Sequence, residues 1–184
     1  MTTTKLYLVR HGQTEENVAH ILQGHMPGTL TAEGRQQAAE TAAALSGLRF
    51  DAMLSSDLGR CVQTSEIMLE RLAQQGQQLR LQTTSLLRER DWGSVTGMEV
   101  GGGHRVKIPA DAETVEALKS RARIFLDFVE KTYRGKTVLV VSHGLFLRFL
   151  QAVHWGVEIA EIERMTNGEF RVLELRSGCA ETVK

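Results

Sequence analysis

Apolar residues recur in two rhythms along the chain. Short runs at 5–9 (KLYLV), 51–54 (DAML), 79–81 (LRL), 137–141 (TVLVV) and 169–175 (EFRVLEL) read as strands. Between them, residues 31–46, 57–74, 112–132 and 144–154 carry helical spacing. KLYLV and TVLVV are continuous apolar runs, as central strands buried on both faces require. This alternation predicts an α/β fold, a three-layer α/β/α sandwich on a mainly parallel sheet. The weakly patterned stretch 93–111, with Gly101, Gly102 and Gly103, reads as a mobile loop that caps one end of the sheet. No repeat, low-complexity tract or linker interrupts the pattern, and 184 residues suit a single domain spanning 1–184.

Charge narrows the class. Acidic and basic residues balance at 22 each, which argues against a nucleic-acid or membrane-surface binder, since such proteins carry a basic excess. Any anion site is therefore local. Cys61 and Cys179 form no CxxC pair, so neither a zinc cage nor a disulfide framework is expected, and a reducing compartment fits. No apolar stretch approaches the ~18 residues of a membrane span, and KLYLV is too short for a secretory core. The expectation is a soluble, cytoplasmic protein.

Two stretches end alike. LYLVRHG delivers Arg10, His11 and Gly12, and VLVVSHG delivers Ser142, His143 and Gly144, each after an apolar strand and before a helix. A third strand end, DAMLSSDLGR, brings Ser55, Ser56 and then Arg60. Ligands of open α/β sheets bind beyond the carboxyl ends of the strands, near helix N-termini. Imidazoles suit a metal, but guanidiniums beside it oppose binding, and no acidic residue flanks either histidine. Phosphate suits the set better, because arginine forks match its oxygens and a histidine nitrogen can attack phosphorus.

The blocks RHGQTEEN, QGHMPGTLTAEGRQQA, SSDLGRCVQTS, LLRERDWGSVTG and VSHGLFLR resemble, in order, the signatures of the histidine phosphatase superfamily, in the branch of cofactor-dependent phosphoglycerate mutases and related small phosphatases. The likeness runs from residue 6 to about 148. It implies a phosphoglycerate mutase-like fold, with His11 as the nucleophile that becomes phosphorylated. Arg10, Arg60 and His143 would then form the phosphate pocket, joined by Gly144. Asn17, six residues after His11, would donate its amide to the same phosphate, and Gln23 and Gly24 would approach the substrate. Glu89 falls where the family places a proton donor, which would protonate the leaving oxygen and then activate water.

The chain departs from that pattern in places. Pro27 and Thr29 stand where aspartate and proline are frequent, Cys61 replaces a common alanine, Val95 and Thr96 stand for tryptophan and glutamate, and Leu145 for a second glycine. None removes a catalytic group. The resembling mutases build a closed pocket from a long insertion between the acid and the second histidine, whereas only 53 residues lie between Glu89 and His143 here. The expected activity is therefore hydrolysis of a small phosphorylated metabolite through phosphohistidine, with no metal or organic cofactor. A phosphoglycerate mutase is the alternative, and a non-catalytic phosphate-binding module is a further one. Short phosphohistidine-protein phosphatases fit less well because they commonly lack the Glu89 block. His104, Arg105 and Lys107 are candidates for a second anionic group of the substrate, Cys61 for a small core thiol, and a homodimer stays open.

Overall fold

The computed structural model describes residues 2–100 and 106–176. Five strands form one sheet: β1 (Thr3–Arg10), β2 (Ala52–Ser56), β3 (Leu81–Thr84), β4 (Thr137–Ser142) and β5 (Phe170–Arg176), in the order β3-β2-β4-β1-β5. Four strands are parallel, and β5 closes one edge antiparallel to β1. The two continuous apolar runs do lie inside the sheet, as β1 and β4. Their alternate residues face opposite layers, so both sets must be apolar.

The helices are α1 (Glu15–Val18), α2 (Ala32–Ala44), α3 (Gly59–Gln74), α4 (Val115–Thr132) and α5 (Gly144–Trp155). On one face, Leu6, Leu8, Val138 and Val140 pack with Leu118, Phe125, Phe146 and Leu150 of α4 and α5. On the other, Val9, Leu139 and Val141 pack with Ala38 and Ala42 of α2 and with Cys61, Met68 and Leu72 of α3. Small residues on α2 bring that helix close to the sheet.

Element ends differ from the sequence pattern for local reasons. The third strand lies at Leu81–Thr84, not 79–81, because it is a half-exposed edge whose polar residues hide its periodicity. Helix α4 starts at Val115, not 112, because Thr114 caps it, its hydroxyl accepting the Ala117 N–H at 3.1 Å. The single turn α1 has no apolar signature and rests on a capping box between Thr14 and Asn17. The supposed mobile loop is partly held: Gly97 N donates to Leu22 O, Leu22 N donates to Met98 O, and Val100 N donates to His20 O at 2.7 Å. His104 and Arg105 lie outside the described residues.

One backbone contact fixes how the first strand meets the second layer. Gly12, just past β1, and Gly34, in the first turn of α2, touch backbone to backbone, so a Cβ on Gly12 would land on the Gly34 carbonyl and one on Gly34 on the Gln13 carbonyl. Neither residue can move without shifting a strand end or a helix. Gly34→Ala should therefore destabilise the protein by about 1–3 kcal/mol as overpacking, seen as a lowered thermal midpoint. Gly47→Ala, in open space at φ +84°, should cost only backbone strain of about 1 kcal/mol. Phe125→Ala, which empties a fully buried site, should cost ~3–5 kcal/mol.

Candidate active site

Strands β1 and β4 are paired in register, with Arg10 opposite Ser142, so their ends emerge level and the His11 N–H donates to Ser142 O at 3.0 Å. The rings of His11 and His143 consequently lie 5.2 Å apart, edge to face. Both are buried. His11 Nδ1 sits 2.8 Å from the Gly12 carbonyl, which accepts only, so that nitrogen carries the proton and Nε2 keeps its lone pair. Nε2 in turn receives the Arg60 Nε–H at 3.2 Å.

Arg60 is 1 % exposed. Its remaining nitrogens donate to Met26 O at 2.6 Å and Gly24 O at 2.9 Å, so the turn around Gly24 (φ +47°) aims the guanidinium at His11. Among the described residues no carboxylate pairs with it. Arg10 donates to Met165 O at 2.6 Å, while its buried Nε has no partner. Gly144 leaves the room this guanidinium occupies, since a Cβ there would stand 3.1 Å from Arg10 Nε. Burial pulls both arginines below the usual guanidinium range.

These groups open on a cavity of about 570 Å³ lined by Arg10, His11, Asn17, Gln23, Gly24, Arg60, Glu89 and Gly144, among others. His143 is fully buried behind His11 and does not line it, its Nε2 lying 2.9 Å from Ser56 Oγ. Asn17 accepts at Oδ1 from the Thr14 N–H and from Asn167 Nδ2, both at 3.2 Å, which fixes the amide and leaves its NH2 group for the cavity. Gln23 anchors through Nε2 to Thr14 Oγ1 at 2.8 Å, and its buried Oε1 has no partner. Lys107 is exposed and does not line the cavity.

Glu89 occupies an unexpected place. Its carboxylate accepts from the backbone N–H groups of Leu145 and Phe146, at 3.3 and 3.2 Å, in the first turn of α5. That helix N-terminus is thus filled by an internal acid, and an incoming anion is left to the guanidiniums and the Asn17 amide. Arg121 of α4 holds the acid's segment, donating to Leu86 O, Arg88 O and Glu89 O while paired with Glu113 at 2.7 Å and stacked on Phe146 at 4.3 Å. His25 Nε2 adds a contact of 3.0 Å to Glu89 O.

Several of these residues escaped sequence reasoning. Arg121 reads as a solvated position on an amphipathic helix, and Asn167, whose amide also donates to His11 O at 3.0 Å, reads as a turn residue. Thr64 anchors the Gly12 N–H at 3.1 Å. Cys61 is buried, with Sγ 3.4 Å from His143 Nε2, and burial pushes its thiol up to about 12. It stays a protonated core thiol. Among the described residues, no three His, Cys, Asp or Glu side chains gather as a metal group, and no helix is long and apolar enough to cross a membrane.

His11 and His143 are both held well below the ordinary imidazole value, first by burial and then by Arg60, with Arg10 adding to His11 and His11 to His143. An unfolded chain protonates both near pH 6.5 while the native state refuses the protons. Stability from this source is complete above that pH and is lost as pH falls below it, by up to about 2.7 kcal/mol per pH unit for two protons. Thermal midpoints should thus fall steeply from pH 6.5 towards 5, and His143→Gln should roughly halve the slope.

The chain is similar to known proteins over most of its length. It is 41 % identical over 161 residues to a broad-specificity phosphatase of Saccharomyces cerevisiae, covering 79 % of this chain and 68 % of that one. It is 34 % identical over 175 residues to a 2,3-bisphosphoglycerate-dependent phosphoglycerate mutase of Bartonella bacilliformis, covering 85 % and 84 %. The crystal structure of the alpha-ribazole phosphatase from Shigella flexneri superposes with a TM-score of 0.79 at 26 % identity, covering 94 % of this chain and 91 % of that one. The sequence model of the histidine phosphatase superfamily (branch 1) matches residues 6–184. With that match, and with the strand-end histidines beside two arginines, the chain belongs to the histidine phosphatase superfamily.

Proposed function

We propose that the protein is a phosphomonoesterase acting on small phosphorylated metabolites through a phosphohistidine at His11. The observation that carries this reading is the neutral, unprotonated Nε2 of His11 set against the buried Arg60 guanidinium, a lone pair beside a cation that lacks a counter-ion. A phosphate group supplies that counter-ion and places phosphorus next to the nitrogen.

In the first step the Nε2 lone pair forms a bond to phosphorus and the ester P–O bond breaks. Glu89, as the carboxylic acid, passes its proton to the leaving oxygen, so an alcohol departs and not an alkoxide. Arg10, Arg60 and the Asn17 amide spread the charge of the transferring oxygens. In the second step Glu89, now a carboxylate, takes a proton from water while the water oxygen bonds to phosphorus and the P–N bond breaks. Neutral His11 and inorganic phosphate result, and no step calls on a metal or an organic cofactor. His143, behind His11, orients and buries that ring. The N–H groups of Leu145 and Phe146 hold the Glu89 carboxylate between the two steps.

The interval between Glu89 and His143 supports hydrolysis over phosphoryl return to an acceptor. Of its 53 residues α4 and β4 take 24, which limits the chain available to enclose a monophosphate away from water. The intact set of side chains speaks against a non-catalytic phosphate-binding module.

His11→Ala should abolish both turnover of p-nitrophenyl phosphate and acid-labile labelling of the protein by a radiolabelled phosphate ester in rapid quench. Glu89→Gln should slow alkyl phosphates by about 10²-fold or more while barely slowing p-nitrophenyl phosphate, whose leaving group needs no proton. Equal slowing of both esters would remove Glu89 from the role of acid.

A further inference from the structure

Two arginines that none of the chemistry above uses line the same cavity. Arg148 follows Gly144 by one helical turn on α5, which puts it on the same face and about 6 Å further along the axis. Both residues line the cavity, as does Arg164. Arg148 is held firmly, with Nε donating to Ile162 O at 2.9 Å and Nη2 to Ile159 O at 2.8 Å. Its Nη1 has no partner among the described residues.

What these cations lack is an acid. Among the described residues neither Arg148 nor Arg164 forms an ion pair, whereas the neighbouring Arg171 is neutralised by Glu169 at 2.8 Å. Arg148 is pulled below the usual guanidinium range by burial and then by the like charges of Arg164 and Arg171. Like charges at such a site are unfavourable in the empty protein, and an anion between them removes the repulsion.

Resting on the reading of His11 as the phosphoryl acceptor, we propose that Arg148 and Arg164 form a second anion subsite. The preferred substrates are then phosphomonoesters carrying a further carboxylate or phosphate about one helical turn from the phosphate that is removed. Of the three residues expected to meet a second anion, Lys107 does not line the cavity, and His104 and Arg105 lie outside the described residues. A carboxylate or phosphate would take the free Nη1 edge of Arg148 and the Arg164 guanidinium, and so hold the scissile end against His11.

Three substrates with one three-carbon skeleton test this: n-propyl phosphate, 3-phosphooxypropanoate and propane-1,3-diyl bisphosphate. In the wild-type protein kcat/KM for at least one anionic-tailed ester should exceed that for n-propyl phosphate by tenfold or more, and the better of the two tails tells carboxylate from phosphate recognition. Arg164→Gln, and the double variant with Arg148→Gln, should bring that ratio towards one while n-propyl phosphate and p-nitrophenyl phosphate turn over at wild-type rates. Because Arg148 also braces two carbonyls, the exposed Arg164 provides the variant that leaves the fold intact. A wild-type ratio near one, or a ratio that survives in both variants, overturns the subsite while leaving the phosphatase reading in place. No phosphate release from p-nitrophenyl phosphate by the wild-type protein overturns both.

Discussion

A guanidinium with no counter-ion, sunk to 1 % exposure at the end of a parallel sheet, governs this molecule. Removing Arg60 from water is costly, and the carbonyls of Met26 and Gly24 meet its hydrogen bonds without cancelling its charge. Among the described residues no carboxylate forms an ion pair with it, although Glu89 and Glu16 act on it from a distance, and Arg10, which lines the same cavity, is also cationic and keeps a buried donor unpartnered. The protein thus holds a cationic hole, and in the proposed function a tetrahedral dianion would fill it with its donors already in place. Burial first, and then the same field, keep His11 neutral, so in the proposed mechanism the groups that would bind phosphate also help preserve the lone pair that would attack it.

Sheet geometry makes the arrangement permanent. In-register pairing of β1 and β4 places two histidines at one level, and a slip of one residue would turn either ring to the opposite face. The contact of Gly12 with Gly34 then ties the loop after β1 to α2, and Thr64 ties it to α3. Three layers therefore agree on where the His11 ring stands.

The sequence revealed the parts of this design that follow strand periodicity. KLYLV and TVLVV had to be central because both their faces are apolar, and whatever followed them had to sit at the ligand end of the sheet. Arg60 was reachable by the same logic, since it follows a strand that ends in two serines. Polar residues whose partners are distant in sequence were not legible. Asn167 meets His11 across 156 positions and Arg121 meets Glu89 across 32, and nothing in their neighbourhoods departs from an ordinary turn or an ordinary solvated helix face. The third strand was misplaced for a related reason: on a half-exposed edge, hydrogen-bond pairing to β2 and not apolar burial decides which residues are extended.

The two residues proposed to carry the chemistry stand on different supports. His11 follows β1 directly and is bonded to the end of β4, whereas Glu89 hangs on a segment slung between α4, through Arg121, and the turn between β2 and α3, where Arg88 grips Asp57 with two bonds of 2.7 and 2.6 Å. A change at Arg121 would therefore reach the Glu89 segment through three backbone carbonyls, none of which belongs to the residues around His11. If the proposed roles hold, tolerance for poor leaving groups could drift between descendants of one ancestor while the phosphoryl-accepting half stays still.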